Sequence, residues 1–272
     1  MPTVTDFPQG TPIWVDLQST DSAAAAEFYA ALLGWDMSEP TEQTGAYRRA
    51  FRDGVPVCAI GALPAALAEK GAVPVWTTYL AVDDADAATA AVGEAGGTVL
   101  LPPGDRGNGV RLSIVVDPSS AVVGLWQGTG YPGSWLRDEE GAVSWFELLA
   151  EHAEESLPFY ESVFGASVTN LAAGESEYPM LGVGEATFAG VGASDVPGLP
   201  AHWRVYFEVP DLASSVKQVL DGGGRVLADI VSADGVGSWA AVADPQGAVF
   251  SLIQSQPAEV DEGEADAGPE EE

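Results

Sequence analysis

The sequence predicts an α+β protein in which four βαβββ modules pair into two curled mixed-sheet cups with the helices outside. Three observations predict it. "WVDLQSTDSAAAAEFYAALLGW" from Trp14 is echoed by "WFELLAEHAEESLPFYESVFGA" from Trp145. "VDDADAATAAVGEAGGTVL" from Val82 is echoed by "VPDLASSVKQVLDGGGRVL" from Val209, and "VDPSSAVVGLWQ" from Val116 by "ADPQGAVFSLIQ" from Ala243. Within each half, a strand, a helix and further short strands occur twice. A single βαβββ unit leaves one sheet face uncovered, and pairing two units lets the sheet curl round a shared cup.

The elements follow from local pattern. Ile13 to Gln18 alternates, with Val15 and Leu17 on one face and Trp14, Asp16 and Gln18 on the other, the period of a half-buried strand. Asp21 is placed to cap a helix over Ala23–Leu33, whose Phe28, Leu32 and Leu33 share a side, and Gly34 stops it. Short strands follow at "AYRRAF" and "VPVCAIGAL". The second module reads as strand "WTTYLAV", a helix over Asp84–Ala95, then strands "GTVLL", "VRLSIVV" and "AVVGLWQ". The second half repeats this order. The expected organisation is a first paired domain at 10–128, a linker at 129–141 rich in Gly and charge, a second paired domain at 142–256, and a tail at 257–272.

Composition narrows the function classes. A chain of 272 residues with 46% hydrophobic residues can build a sizeable core. The net charge of −31 argues against nucleic acid and anionic membranes, because a phosphate surface requires a basic footprint. Much of that charge lies in "PAEVDEGEADAGPEEE", Pro257–Glu272, which reads as a disordered, solvating acidic tail. Cys58 is the one cysteine, which excludes an internal disulfide and a zinc-thiolate cluster. No apolar run is long enough for a bilayer, and the start lacks the regions of a signal peptide, so a cytoplasmic location is expected.

The phrases "FYAALLGW", "VDDADAATAAVGEAGG", "DPSSAVVGLWQ" and "DPQGAVFSLIQ", in this order, resemble the vicinal oxygen chelate superfamily. That superfamily includes glyoxalase I, bleomycin-resistance proteins, fosfomycin-resistance enzymes and extradiol dioxygenases. Within it the chain is most similar to a tandem, four-module actinobacterial subgroup. The resemblance implies the paired βαβββ fold, and it covers the whole chain before the tail. In the metal enzymes of the superfamily a His or Gln opens the first strand of a module and a Glu sits in the last. Those positions fall here on Trp14, Thr77, Trp145 and Arg204, and on Gly124 and Ser251. None is a usual ligand for a divalent metal. The expectation is therefore no metal and no cofactor. His152 reads as a solvent residue near a helix start. His202 reads as a surface residue at a strand end, with a place at the mouth of the second cup as the other reading.

If the apolar face of each strand packs on its helix, the other face lines a cup. The first cup then presents Trp14, Asp16, Gln18, Thr77, Tyr79, Val122, Gly124 and Trp126. The second presents Trp145, Glu147, Leu149, Arg204, Tyr206, Glu208, Val249, Ser251 and Ile253, with Tyr178 and Trp239 closing its mouth. A flat aromatic surface with a few charged groups is how many organic-ligand sites are built. The same tryptophans could instead plug the cups. Asp16 could pair with Arg48 or Arg49, and Glu147 with Arg204, either as a buried structural pair or as a handle for a polar substrate.

Three functions follow from this pattern. The first is a metal-independent protein that binds or sequesters an aromatic or hydrophobic metabolite. The second is a cofactor-free isomerase, cyclase or lyase of natural-product metabolism, with Glu147 as acid/base and Tyr206 as proton donor. The third is a scaffold with plugged cups. A metal-dependent glyoxalase or dioxygenase would need ligands other than the family's, such as Asp16, Glu147 or His202. The fused halves already supply paired modules, so a monomer is expected over a homodimer.

Overall fold

The structure is a computed structural model that describes residues 7–41, 46–69, 71–107, 109–128, 136–173 and 176–256. The acidic tail at 257–272 and most of the expected linker lie outside the described residues. The first half contributes β1 (Pro12–Ser19), α1 (Ser22–Leu33), β2 (Asp36–Met37), β3 (Arg48–Arg52), β4 (Val55–Ala62), α2 (Ala65–Ala68), β5 (Val75–Ala81), α3 (Ala85–Ala91), β6 (Thr98–Gly107), β7 (Val110–Val116) and β8 (Val122–Gly128). The second contributes β9 (Val143–Leu149), α4 (Leu157–Phe164), β10 (Ser167–Ala173), β11 (Ser176–Val183), β12 (Ala186–Gly192), β13 (His202–Glu208), α5 (Leu212–Asp221), β14 (Arg225–Val226), β15 (Val231–Ala233), β16 (Gly237–Ala243) and β17 (Val249–Ser255).

Each half is one mixed sheet with the same plan. The first runs β2-β3-β4-β1-β5-β8-β7-β6 and the second β10-β11-β12-β9-β13-β17-β16-β14, with β15 on β16. The opening strands of the two modules pair antiparallel at the centre, β1 with β5 and β9 with β13, and each pairs parallel with the closing strand of its own module.

The helix ends obey the local signals. The Asp21 carboxylate accepts from the Ala24 amide at 3.0 Å, and Gly34 ends α1 at φ 67°, where a side chain would be strained. Asp84 accepts from the amides of Asp86 and Ala87, both at 2.9 Å. The helix it starts stops at Ala91 rather than Ala95, and residues 92–96 form turns. Gly93 and the Gly96–Gly97 pair weaken the helix there.

The helices lie on the face of each sheet away from its cup, and the two helix-bearing faces meet. One core cluster joins Val15, Leu17, Tyr29, Trp35 and Trp76 of the first half to Phe146, Leu148, Tyr160, Phe207 and Phe250 of the second. The Tyr29 ring centroid is 5.2 Å from that of Phe250, and Phe207 is 5.4 Å from Trp35 and 5.2 Å from Trp76. Both cups therefore open outward, away from this core.

Two tyrosines lock the halves reciprocally. Tyr29 donates to Asp244 Oδ2 at 3.3 Å and accepts from Trp76 Nε1 at 3.0 Å. Tyr160 donates to Asp117 Oδ2 and accepts from Trp203 Nε1, both at 2.8 Å. These are the tyrosines of the repeated "FY" and the aspartates of the repeated "DP" turns. Replacing Tyr160 by Phe leaves a buried carboxylate oxygen and a buried indole N–H without that partner. Urea denaturation of Tyr160→Phe should show a loss of about 2 kcal/mol of stability, and an unchanged midpoint would contradict this role.

Candidate functional site

Both cups carry one constellation: a carboxylate on the opening strand with two tyrosine hydroxyls aimed at it. In the second cup Glu147 on β9 accepts from Tyr178 on β11 at 2.5 Å and from Tyr206 on β13 through a shorter contact. Tyr178 reaches Glu147 across β12, where Gly190 is the register partner of Glu147. A Cβ at Gly190 would lie 1.6 Å from the Tyr178 hydroxyl, so only glycine admits the ring there. Burial and the Glu147 charge push both phenols above their ordinary range, which keeps them protonated as donors.

In the first cup Asp16 accepts from Tyr79 at 3.2 Å and from Tyr47 at 3.3 Å, and Trp14 Nε1 donates to the Tyr47 hydroxyl at 3.0 Å. Tyr47 stands 131 residues before Tyr178, the spacing that relates Trp14 to Trp145. It was legible in "AYRRAF" but masked by the two arginines that follow it. Phenols hold Asp16 rather than the Arg48 or Arg49 of the alternative reading, and Arg48 reaches Glu39 at 3.7 Å. Burial pushes the Asp16 carboxyl up to about 6, against the opposing pull of its hydrogen bonds.

The cups differ in what fills them. Trp14, Tyr79 and Trp126 are 2%, 6% and 7% exposed and pack together with Ile13, Ala59 and Val110. The Trp126 ring is 6.1 Å from Trp14 and 5.6 Å from Tyr79. The first cup is thus filled by its own side chains. The register of β17 puts Ile253, not a tryptophan, at the place corresponding to Trp126. Around it Trp145, Glu147, Tyr178 and Trp239 all remain half-buried rather than sealed. Trp239 on β16 is the register partner of Ile253, so it stands on the same wall.

Other expected site residues are placed differently. Arg204 is the register partner of Glu147 but does not bond it; its Nη1 donates to Asp195 Oδ1 at 2.6 Å. Glu147 is occupied by the phenols, and Asp195, from the segment between β12 and β13, was not foreseen. Glu208 is drawn to the strand end, where it accepts from the Ser255 amide at 2.9 Å and hydroxyl at 2.6 Å. Ser251 is the register partner of Tyr206. His152 is exposed, as expected, whereas His202 is half-buried, with Nδ1 donating to the Pro200 carbonyl at 2.9 Å.

A metal of the kind the related enzymes use does not fit these residues. At the closing-strand position of the first cup a Cβ on Gly124 would lie 2.1 Å from the Tyr79 ring, so that ring stands where a ligand side chain would project. Trp14, Thr77, Trp145, Arg204 and Ser251 supply no carboxylate or imidazole donor. Among the described residues no three His, Cys, Asp or Glu side chains gather in a group.

The family model described as the Glyoxalase/Bleomycin resistance protein/Dioxygenase superfamily matches residues 12–124. The chain is 41% identical over 261 residues to a protein named "Putative glyoxylase CFP32", in both Mycobacterium bovis and Mycobacterium tuberculosis, covering 94% of this chain and 99% of the relative. It is 30% identical over 263 residues to the anthracycline biosynthesis protein DnrV of Streptomyces peucetius, covering 92% and 95%. Among solved structures it is similar to the Mn(II)-bound glyoxalase of Novosphingobium aromaticivorans, with a TM-score of 0.63 and 15% identity over 93% of this chain and 85% of the other. That last likeness is one of fold.

Proposed function

This chain belongs to the glyoxalase/bleomycin resistance protein/dioxygenase superfamily, and we propose that within it the protein is a metal-independent binder of an aromatic or hydrophobic small molecule, held in the second cup. One observation carries this reading. Asp16 and Trp14 are buried under Trp126 in the first cup, whereas the corresponding Glu147 and Trp145 are half-buried in the second, although Ile253 and Tyr206 beside them stay buried. Trp145, Tyr178 and Trp239 supply flat apolar walls, and Glu147 with its two phenols supplies polar groups that orient a ligand. The relative named for anthracycline biosynthesis agrees with a polycyclic aromatic ligand class. Titration of the EDTA-treated protein with naphthalene and anthracene derivatives should quench tryptophan fluorescence saturably, with one site per chain. No saturable change across such a panel would remove this reading.

A second reading is a cofactor-free isomerase, cyclase or lyase. The direct contact between the Glu147 carboxylate and the Tyr206 hydroxyl favours it, because it places a proton acceptor and a proton donor on one wall of the cup. Glu147 would take a proton from a ligand carbon and return it elsewhere, while Tyr206 polarises a ligand oxygen. A turnover rate unchanged in Glu147→Gln would exclude Glu147 from such a step.

A further inference from the structure

Arg204 poses a question that ligand binding by hydrophobic contact alone does not answer. It is completely buried on the cup-facing row of β13, yet only one of its three nitrogens is paired. Nη1 donates to Asp195, while Nε and Nη2 are buried with no hydrogen-bond partner. Guanidinium N–H groups sealed from water and unpaired are unfavourable, and native structures satisfy nearly all such donors. The acceptor facing them across the strands, Glu147, is already engaged by Tyr178 and Tyr206.

The neighbours define the acceptor that would suit this edge. Nε–H and Nη2–H project side by side from one planar edge, a fork that grips a single oxygen or an oxygen pair. The Arg204 charge is balanced by Asp195, and Glu147 adds a further negative charge close by. His202, two residues along the same row, donates through Nδ1 to Pro200, so its Nε2, buried and unpartnered, presents a lone pair. A carboxylate entering here would meet one negative charge in excess and that lone pair. An uncharged carbonyl oxygen would meet the two free donors without that repulsion.

We propose that the Nε–Nη2 edge of Arg204 is the docking point for a carbonyl oxygen on an uncharged aromatic ligand, a ketone or a quinone. The assignment rests on the second cup being the ligand site and adds to it the chemical group the ligand carries. Because both nitrogens are buried, this docking requires the 193–201 segment, which carries Asp195, to move off Arg204 as the ligand enters.

The test uses three probes on one ring system: 2-acetylnaphthalene, 2-ethylnaphthalene and 2-naphthoate. Affinity for each is measured by tryptophan fluorescence with the full-length protein and with Arg204→Met and Arg204→Lys, whose folding is checked by thermal melting. The ketone should bind about ten-fold more tightly than the hydrocarbon and also more tightly than the carboxylate. Arg204→Met should erase the ketone preference, bringing the ratio of the ketone and hydrocarbon affinities to about one. Arg204→Lys, which keeps the charge but not the fork, should lose most of it. If ketone and hydrocarbon bind equally to the wild type, or if the preference survives both variants, the docking point is wrong and the aromatic cup stands. If the carboxylate binds best, the charge argument fails and the proposal with it. If none of the three changes the fluorescence, the second cup is not an aromatic site and both readings fall.

Discussion

Ile253→Trp should weaken binding of 2-ethylnaphthalene at least 100-fold, with the cooperative unfolding transition retained. The expectation follows from the comparison of the cups. In the first, Trp126 closes against Trp14 and Tyr79 and the three rings are nearly solvent-free. In the second, the corresponding place on β17 holds Ile253, beside Trp239 on β16 and two residue pairs along from Tyr206 and Ser251. An indole introduced there would occupy the volume proposed for the ligand. Overpacking a filled core costs about 1–3 kcal/mol, and Ile253 is buried here beside the half-buried Trp239, so a loss of stability in that range is expected alongside the loss of binding. Equilibrium dialysis avoids the added tryptophan signal. Unchanged affinity in this variant would move the binding site away from the β13–β17 wall.

Asp16→Asn should remove a pH-dependent penalty from the first cup. Burial raises the folded-state pKa of Asp16 from 3.8 to about 6. Below pH 3.8 the carboxyl is protonated in both states, and the stabilisation that this group contributes is fully present. As pH rises, the unfolded chain ionises first, and the contribution is lost progressively until the folded form also ionises, above pH 6. A shift of about two units corresponds to about 3 kcal/mol. The wild type should therefore lose about 2.5 kcal/mol relative to Asp16→Asn between pH 4 and pH 7. The amide oxygen of Asn can still accept from Tyr47 and Tyr79, so the comparison isolates the charge. Urea denaturation of both proteins across this range measures it, and parallel profiles would show that Asp16 does not ionise under this constraint.

Much of the fold was legible because alternation and recurrence are properties of residues near one another in sequence. Val15 and Leu17 against Trp14 and Asp16 fixed which face of β1 meets the helix. The recurrence of "FY" and "DP" gave the two halves the same order of elements along the chain. How the halves join was less legible: the Tyr29–Asp244 and Tyr160–Asp117 bonds cross between them, and nothing in the spacing of either repeat requires that exchange. The site was legible as a set of cup-facing positions but not as a set of bonds. Cross-strand adjacency suggested Glu147 with Arg204, and their register agrees. The bonds followed reach instead, because Gly190 opens a path for Tyr178 and an irregular segment delivers Asp195. The sealing of the first cup depends on ring packing around Trp126, which alternation places on a face without giving its contacts.

The proposed function requires a single, metal-independent aromatic site in the second cup. Native mass spectrometry of EDTA-treated protein with added 2-acetylnaphthalene tests it most directly, with wild type and Ile253→Trp side by side. One bound molecule per wild-type chain and none on the variant is the expected result. Binding that appears only after a divalent metal is restored, or that persists undiminished on Ile253→Trp, would contradict it.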